Sequence, residues 1–293
     1  MPGSAADRWS SWIDCCRQNA VARPDLLTQL HGYRDRVLDR AQIQSGDDVL
    51  DIGCGDGLIA FGALERTGAE GTVIFSDISP ELIAQCRARA QALGAMDRCR
   101  FLVMTADDLH DIGAASVDVV TTRSVLIYID RKDRALSEFF RVLRPGGRVS
   151  IGEPINRFTL LEPPGRFRGY PIGPVEDIVD KLKGLWEREL RPRLVSMLDF
   201  DERDLVAMSD QAGFGTIHLD LQVDIRPTPK DSWDRFLRTA PNPLSPTLEA
   251  MMLAALSGPE RERLTTYLKP MVESGNGIER RAFAYLSATK ALP

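Results

Sequence analysis

Three glycines at alternate positions, directly after a short apolar run, constrain this chain more than any other feature. Residues 49–52 read VLDI, residues 53–57 read GCGDG, and a helix-compatible segment covers 58–67. This pattern predicts a buried strand, a tight loop and the N-terminus of a helix. In that geometry, backbone N–H groups and the helix dipole can hold an anionic part of a ligand close to the chain.

Strand-like and helical segments alternate from residue 48 to residue 153. Alternation of this kind predicts parallel βαβ units and therefore an α/β fold with a doubly wound sheet. The predicted strands are 48–52, 71–77, 100–104, 117–122 and 148–153. The predicted helices between them are 57–67, 80–93 and 131–143.

The pattern changes after residue 153. Residues 154–174 are rich in proline, glycine and arginine, which is typical of a loop or lid, whereas 215–225 and 281–290 alternate like strands. We interpret these two strands as the terminal pair of a seven-stranded, mostly parallel sheet whose last strand is antiparallel. The predicted layout is a helical N-terminal lid (1–45), a core (46–155) and the remainder of the sheet (156–293), with helical caps at about 156–200 and 226–278.

Four further segments occur where a nucleotide-like cofactor would need them. Asp77 ends the second predicted strand, where a carboxylate can accept both hydroxyls of a ribose. The alternative is a helix cap, because residues 76–80 (SDISP) also suit an N-cap. The other segments are 104–109 (MTADDL), 117–126 (VDVVTTRSVL) and 143–149 (LRPGGRV).

Taken in order, these segments resemble the motifs of class I S-adenosylmethionine (SAM) methyltransferases over roughly residues 45–155. Within this class, the sequence is most similar to ubiquinone/menaquinone-type and actinobacterial small-molecule methyltransferases. The resemblance implies a Rossmann-like sheet with helical lid insertions, and SAM as the cofactor. Thr105 stands where the family most often has Asp, and Asp107 is the nearby alternative. The cofactor contacts implied are Asp51, Gly53, Cys54, Gly55, Gly57, Asp77, Ile78, Thr105, Ala106, Asp107 and Arg123.

Methyl transfer from a sulfonium is an in-line displacement, so much of the rate can come from positioning in a site without water. A base is needed only if the nucleophile is protonated at working pH. Ligands of such sheets bind at the carboxyl ends of the strands. Arg123 can alternatively hold the following helix, and Tyr128 can belong to the core. The candidates for catalysis or substrate contact are Arg123, Ser124, Tyr128, Glu153, Asn156 and His31.

Composition and charge exclude several function classes. The formal net charge of −5 argues against a general nucleic-acid binder. No apolar run reaches the roughly 18 residues that a membrane span needs, and residues 1–8 lack the pattern of a secretory signal. The 5 cysteines form no C-x-x-C pair, which argues against a zinc site or a disulfide framework. We therefore expect a cytoplasmic protein without a metal, membrane or nucleic-acid partner, for which a homodimer is one option.

The first functional expectation is a SAM-dependent methyltransferase acting on a small organic molecule, with O-methylation in specialised (natural product) biosynthesis. Oxygen is favoured because no strong base or metal site stands out. One alternative is a C-methyltransferase of a quinone or other metabolite. The other is a non-catalytic SAM-fold protein with a regulatory or scaffold role.

Overall fold

The computed structural model describes residues 7–21 and 24–292. The first six residues of the predicted lid lie outside the described residues, as do residues 22, 23 and 293. The 9 strands within the described residues are β1 (Asp48–Ile52), β2 (Thr72–Asp77), β3 (Cys99–Val103), β4 (Val117–Arg123), β5 (Leu143–Pro154), β6 (Arg166–Phe167), β7 (Tyr170–Pro171), β8 (Gly215–Pro227) and β9 (Ile278–Thr289).

The same ranges contain 12 α-helices, together with short 3-10 and π-helical turns. The α-helices are α1 (Arg8–Val21), α2 (Pro24–Ala41), α3 (Leu58–Arg66), α4 (Pro80–Ala92), α5 (Lys132–Val142), α6 (Asn156–Thr159), α7 (Glu176–Leu185), α8 (Val195–Leu198), α9 (Glu202–Gln211), α10 (Trp233–Arg238), α11 (Leu248–Ala255) and α12 (Gly258–Ser274). None of the described helices combines the length and apolar character that a membrane span requires.

Seven of the strands form one sheet in the order β3-β2-β1-β4-β5-β9-β8. The neighbours from β3 to β5 pair in parallel, and β9 pairs antiparallel with β5. The predicted fold class is therefore confirmed. The strand order reverses between β1 and β4, and in open α/β sheets ligands bind outside the carboxyl ends of the strands at this switch point.

The fifth strand was predicted over 148–153, but β5 already begins at Leu143. Val117 of β4 pairs with Leu143, but Val119 pairs with Arg148, so residues 144–147 form an irregularity in the ladder. A Cβ on Gly147 would lie 2.8 Å from the carbonyl oxygen of Arg144, so the backbone approaches itself too closely there for a side chain.

Two other predictions needed adjustment. The loop predicted over 154–174 contains the short helix α6 and the two-stranded sheet of β6 and β7. Within the helical cap predicted at about 156–200, the chain continues beyond α7 as a π-helical segment, Trp186–Leu190.

The described chain divides into two compact units. The first takes the described residues of 1–154, 200–221 and 283–293, and it contains α1, α2 and most of the sheet. The second takes 155–199 and 222–282, with β6, β7 and most of the later helices. The functional roles predicted for the lid and caps remain predictions.

The core of the first unit is built around β1, which is buried on both faces as parallel strands usually are. Helix α2 packs against the sheet of this unit, where the hydroxyl of Ser150 on β5 donates a hydrogen bond of 2.7 Å to the carbonyl oxygen of Val37. A Cβ on Gly62 of α3 would lie 2.5 Å from Leu38, so glycine there lets the two helices approach each other.

Candidate active site

The alternating glycines form a loop that only glycine can build. Gly53, Gly55 and Gly57 all have positive φ, at 64°, 55° and 84°. A Cβ on Gly53 would lie 2.2 Å from Cγ2 of Val125, and one on Gly57 would lie 2.5 Å from the ring of Phe61. Both the backbone conformation and the close packing therefore require these residues.

The loop amides are used differently from our sequence-based expectation. The N–H of Cys54 donates to the carbonyl oxygen of Ser76 at 2.9 Å, and that of Gly57 to the carbonyl oxygen of Cys54 at 2.9 Å. The N–H of Gly55 donates to Oδ2 of Asp77 at 2.8 Å. Because these three amides already have partners, the prediction that the loop holds an anion through its N–H groups is wrong for them. The glycines instead keep the loop thin.

A cavity of about 300 Å³ lies beside this loop, within the first unit. We call it the strand-end cavity, because its wall includes residues at or just beyond the carboxyl ends of β1, β2, β3 and β4. Helix α1 supplies a further part of the wall. The sequence-predicted residues in its described wall are Gly53, Cys54, Gly55, Asp77, Ile78, Thr105, Ala106, Arg123, Ser124 and Tyr128.

Asp77 combines the two roles between which the sequence left a choice. Oδ1 accepts a hydrogen bond of 2.9 Å from the N–H of Ser79, while Oδ2 binds the glycine loop. The N-cap of α4 is Ser79, whose Oγ accepts from the N–H of Leu82 at 3.1 Å. Burial raises the pKa of Asp77, and the two amide donors oppose that shift. Each carboxylate oxygen retains a lone pair for a ligand in the cavity.

The wall near β2 and β3 carries an apolar surface. The side chain of Ile78 is 52% exposed although it is large and apolar, and it lines the strand-end cavity beside Thr105 and Ala106. Asp107, the alternative to Thr105, is absent from the described wall, and its carbonyl oxygen accepts from Nε of Arg134 at 2.8 Å.

Asp51 was predicted to contact the cofactor, but it is not among the described wall residues. It is buried within the sheet, where Oδ1 accepts a hydrogen bond of 2.7 Å from the hydroxyl of Thr121, its register partner on β4. Burial raises the pKa of Asp51 to about 7. The carboxyl group therefore links β1 to β4 beneath the loop. Gly57 is also outside the described wall and is the N-cap residue of α3.

Arg123 ends β4 and directs its side chain into the cavity wall. The next residue, Ser124, has a φ of 56°, a strained conformation of the kind found at functional sites. On β5, a Cβ on Gly152 would lie 2.9 Å from Val37 and 3.6 Å from Cγ of Arg123. Glycine at position 152 therefore leaves room for Val37 of α2, whereas the stem of Arg123 lies at ordinary contact distance. Burial and the nearby Arg17 lower the pKa of Arg123.

Glu153 was expected to face substrate, and the structure corrects this expectation. Its side chain is fully buried and is not among the described wall residues. Oε1 accepts from the N–H groups of Val125 and Leu126 at 2.8 and 3.0 Å, and Oε2 accepts from Ile127 at 3.4 Å. Glu153 therefore holds the segment that follows Arg123. Burial raises its pKa to about 7.

His31 was a candidate base, but it is exposed on α2 and is not among the described wall residues. Asn156 was another candidate for substrate contact. It is buried in the second unit and is likewise absent from the described wall of this cavity.

Helix α1 contributes a set of wall residues that residue-by-residue reasoning missed. Trp9 meets the ring of Tyr128 edge-on, with centroids 4.8 Å apart. Arg17 forms an ion pair with Asp56 of the glycine loop, in which Nη2 and Oδ1 are 2.7 Å apart. The helical spacing of the aromatic and apolar side chains could have indicated this face. The members are Trp9, Trp12, Ile13, Cys16 and Arg17.

Comparison with known proteins now identifies the family. A model of the methyltransferase domain matches residues 49–147. The chain is 31% identical to aklanonic acid methyltransferase DauC of Streptomyces sp. (strain C5), over 62% of this chain and 81% of that protein. The chain belongs to the class I SAM-dependent methyltransferases.

Other relatives of this methyltransferase match over shorter regions. It is 31% identical to nocamycin O-methyltransferase of Saccharothrix syringae, over 56% of each chain. It is 36% identical to the C-methyltransferase UbiE of Xylella fastidiosa, over 45% of this chain and 54% of that one. The matched region thus spans about half the length of these two relatives.

Solved structures agree on the fold of the methyltransferase. YcgJ of Bacillus subtilis superposes with a TM-score of 0.54 at 17% identity, covering 90% of this chain and 100% of that one. The [4+2]-cyclase SpnF superposes with a TM-score of 0.51 at 19% identity, covering 89% and 81%. At such identities the likeness shows the fold alone, so the reaction has to be argued from the site.

The residues of the strand-end cavity fit SAM, the cofactor of the family. The thin loop at Gly53 and Gly55 leaves space that side chains would fill, since a Cβ on Gly55 would already meet Ile13 at 3.1 Å. Asp77 offers a carboxylate, and Ile78 offers an exposed apolar face. A polar ribose and a flat adenine need these two kinds of surface.

Proposed function

We propose that this methyltransferase transfers the methyl group of SAM to an oxygen atom of a small organic molecule in specialised metabolism. The observation that carries the proposal is the composition of the strand-end cavity. One part of its wall suits the cofactor, and another part is aromatic and cationic.

The cofactor side of the cavity would be formed by strand ends and the glycine loop. We assign Asp77 to the ribose hydroxyls and the apolar surface around Ile78 to the adenine. Asp51, Gly57 and Asp107 support this side without lining the described wall. The residues assigned to SAM are Gly53, Cys54, Gly55, Asp77, Ile78, Thr105 and Ala106.

The acceptor side would be formed by α1 and by the segment after β4. Trp9, Trp12 and Tyr128 give it a largely aromatic surface, which suits a small organic substrate with an apolar body. Two relatives support a substrate of this type by their names, one an O-methyltransferase and the other an aklanonic acid methyltransferase. When bound, SAM supplies an electrophilic methyl group, and these side chains would align the acceptor with it and exclude water.

Carbon methylation is the second candidate, and the similarity to UbiE favours it. A ring carbon becomes nucleophilic only when a proton is removed nearby, which requires a base. Of the carboxylates in the described wall, Asp56 is paired with Arg17 and Asp77 binds two backbone amides. Both are engaged, so oxygen is the better-supported acceptor atom.

The test is calorimetric titration of the protein with SAM and S-adenosylhomocysteine, followed by a screen of organic acceptors for the mass gain of one methyl group. Micromolar binding of both compounds and a product methylated on oxygen would support the proposal. A product methylated on carbon would favour the second candidate. Cofactor binding without turnover of any acceptor would favour a non-catalytic protein.

A matched pair of glycine variants tests whether the binding seen in the titration takes place in the strand-end cavity. Gly53→Ala places a Cβ 2.2 Å from Val125 at a positive φ and should abolish binding of S-adenosylhomocysteine. Gly113→Ala is the control, since its Cβ would meet nothing closer than 3.9 Å. Equal binding by both variants would contradict the assignment.

A further inference from the structure

We infer that the acceptor is a carboxylic acid, bound as its carboxylate by Arg123, and that the product is its methyl ester. This inference rests on the proposed methyltransferase function and names the substrate class of the same site. Four observations support it, namely the pairing of Arg123, the ionisable groups of the cavity, the charge balance of the reaction and the state of the loop amides.

The first observation is the pairing of Arg123. Within residues 7–21 and 24–292, its guanidinium makes no ion pair, and the hydrogen bond recorded for it is a long one of 3.3 Å from Nη1 to Oγ of Ser124. The other arginine in the described wall, Arg17, is already paired with Asp56. A partly buried charge without an ion-pair partner is costly, and desolvation accordingly lowers the pKa of Arg123. An anionic ligand would offset that cost.

A carboxylate suits this position better than other anions of small molecules. The planar guanidinium presents paired N–H donors that match two carboxylate oxygens. The surroundings are largely aromatic, with Tyr128 and Trp9 in edge-to-face contact, so an aromatic or otherwise apolar acid is favoured.

The second observation is that the described wall offers poor bases. Burial raises the pKa of the Cys16 thiol to about 11 and also raises the pKa of the Tyr128 phenol, so both groups are protonated at neutral pH. Asp56 and Asp77 are engaged as described above. An acceptor that reacts here must arrive already ionised, and carboxylic acids, with pKa values of about 4, do so.

The third observation concerns the charge balance of the reaction. One carboxylate oxygen forms a bond to the methyl carbon while the bond between that carbon and sulfur breaks, and its electron pair stays on sulfur. The negative charge of the acid and the positive charge of the sulfonium cancel, and no proton moves. Because charge disappears, a cavity poor in polar groups penalises the reactants more than the transition state.

The fourth observation is that the loop amides of Cys54, Gly55 and Gly57 are internally bonded, so they do not compete with Arg123 for an anion. One rival remains, because SAM itself carries a carboxylate that Arg123 could hold. The two assignments differ in a measurable way, since 5′-methylthioadenosine keeps the adenosine part of the cofactor but lacks the carboxylate.

The experiment compares acids with their amides on the complex of the full chain with S-adenosylhomocysteine. Binding of benzoate, benzamide, 2-naphthoate and 2-naphthamide is followed by tryptophan fluorescence, because Trp9 and Trp12 line the cavity. We expect at least one acid to bind ten times more tightly than its amide. Arg123→Gln should remove this preference while leaving the affinity of the amide unchanged.

A matched control is Arg131→Gln, which removes an exposed guanidinium paired with Asp133 and should keep the preference of the wild type. Equal affinity for acids and amides in the wild type, or an unchanged preference in Arg123→Gln, would overturn the inference. So would an Arg123→Gln variant that binds S-adenosylhomocysteine much more weakly but 5′-methylthioadenosine normally. Failure of the wild type to bind S-adenosylhomocysteine at all would instead overturn the proposed function.

Discussion

Two strand-end carboxylates in this methyltransferase have similar sequence settings and different positions. Asp77 ends β2 and accepts hydrogen bonds from the amides of Gly55 and Ser79. Glu153 lies near the end of β5 and accepts hydrogen bonds from three consecutive amides, those of residues 125–127. Asp77 lines the strand-end cavity, whereas Glu153 is 0% exposed and is not in its described wall.

The comparison teaches that a carboxylate at a strand end can serve a ligand or the backbone, and that its surroundings decide which. Burial keeps any ligand out of reach of Glu153, whereas Asp77 lines the strand-end cavity and has an open side. We therefore propose that Asp77 is a cofactor residue and that Glu153 positions the segment containing Arg123 and Tyr128.

The largest expected effect follows from removing Asp77. Asp77→Ala should weaken binding of SAM and S-adenosylhomocysteine by about 100-fold or more, because hydrogen bonds to a charged acceptor contribute about 1.5–3 kcal/mol each. Calorimetric titration measures this loss, and circular dichroism checks that the variant is folded. Glu70→Gln, at an exposed site, is the control. Binding at wild-type affinity would remove Asp77 from the cofactor site.

Glu153 tests the other side of the comparison. Glu153→Ala leaves three buried amides without their acceptor, which should lower the free energy of unfolding by about 3 kcal/mol or more. Glu153→Gln retains one acceptor oxygen and should lower the free energy of unfolding by less. Urea unfolding gives both values. If either variant lost turnover with unchanged stability and cofactor affinity, Glu153 would be a catalytic group after all.

The pH dependence of stability sharpens this prediction. The pKa of Glu153 rises from its ordinary value of 4.5 to about 7 in the folded protein, chiefly through burial. Protonation of the Glu153 carboxyl therefore stabilises the folded state relative to the unfolded state. Its contribution is fully present below about pH 4.5 and is lost as the pH rises to about 7. Unfolding free energies measured over this window should fall less steeply with pH in Glu153→Gln than in the wild type.

Sequence reasoning succeeded where backbone conformation determines the residue and failed where packing determines the role. The glycines at 53, 55 and 57 need positive φ, so their pattern predicted the loop and, with the strand alternation, the fold. Asp51 was implied by the family resemblance and Glu153 by its place at a strand end, but the direction of each side chain depends on sheet register and on the segment packed above it. No local pattern encodes such long-range contacts.

Helix α1 illustrates the same limit. The sequence predicted a helical lid over 1–45, but an apolar stripe on such a helix packs equally well on a core or around a ligand. Only the contacts of Trp9 with Tyr128 and of Arg17 with Asp56 associate this stripe with the cavity.

A smaller effect is expected at Tyr128, which lies in the segment that Glu153 holds. Tyr128→Phe keeps the ring that meets Trp9 at 4.8 Å and removes only the hydroxyl. If that hydroxyl orients the acceptor, kcat/KM should fall about tenfold, the effect of losing one hydrogen bond of about 1.4 kcal/mol, while S-adenosylhomocysteine binds as before. Steady-state kinetics measures the change in kcat/KM, and titration measures the affinity for S-adenosylhomocysteine. Unchanged kcat/KM would mean that Tyr128 serves only in packing.

The smallest effect is expected at His31, which is not among the described wall residues around Asp77 or the segment held by Glu153. Its imidazole is exposed on α2, whereas a general base must reach the proton that it removes, directly or through one water. His31→Ala should therefore leave kcat/KM within about twofold of the wild type, because the expected acceptor is already ionised and needs no base. The measurement is a pH profile of kcat/KM for both proteins. A variant profile that lacks a pH-dependent step present in the wild type would restore His31 as a base, and it would also contradict an acceptor that arrives as a carboxylate.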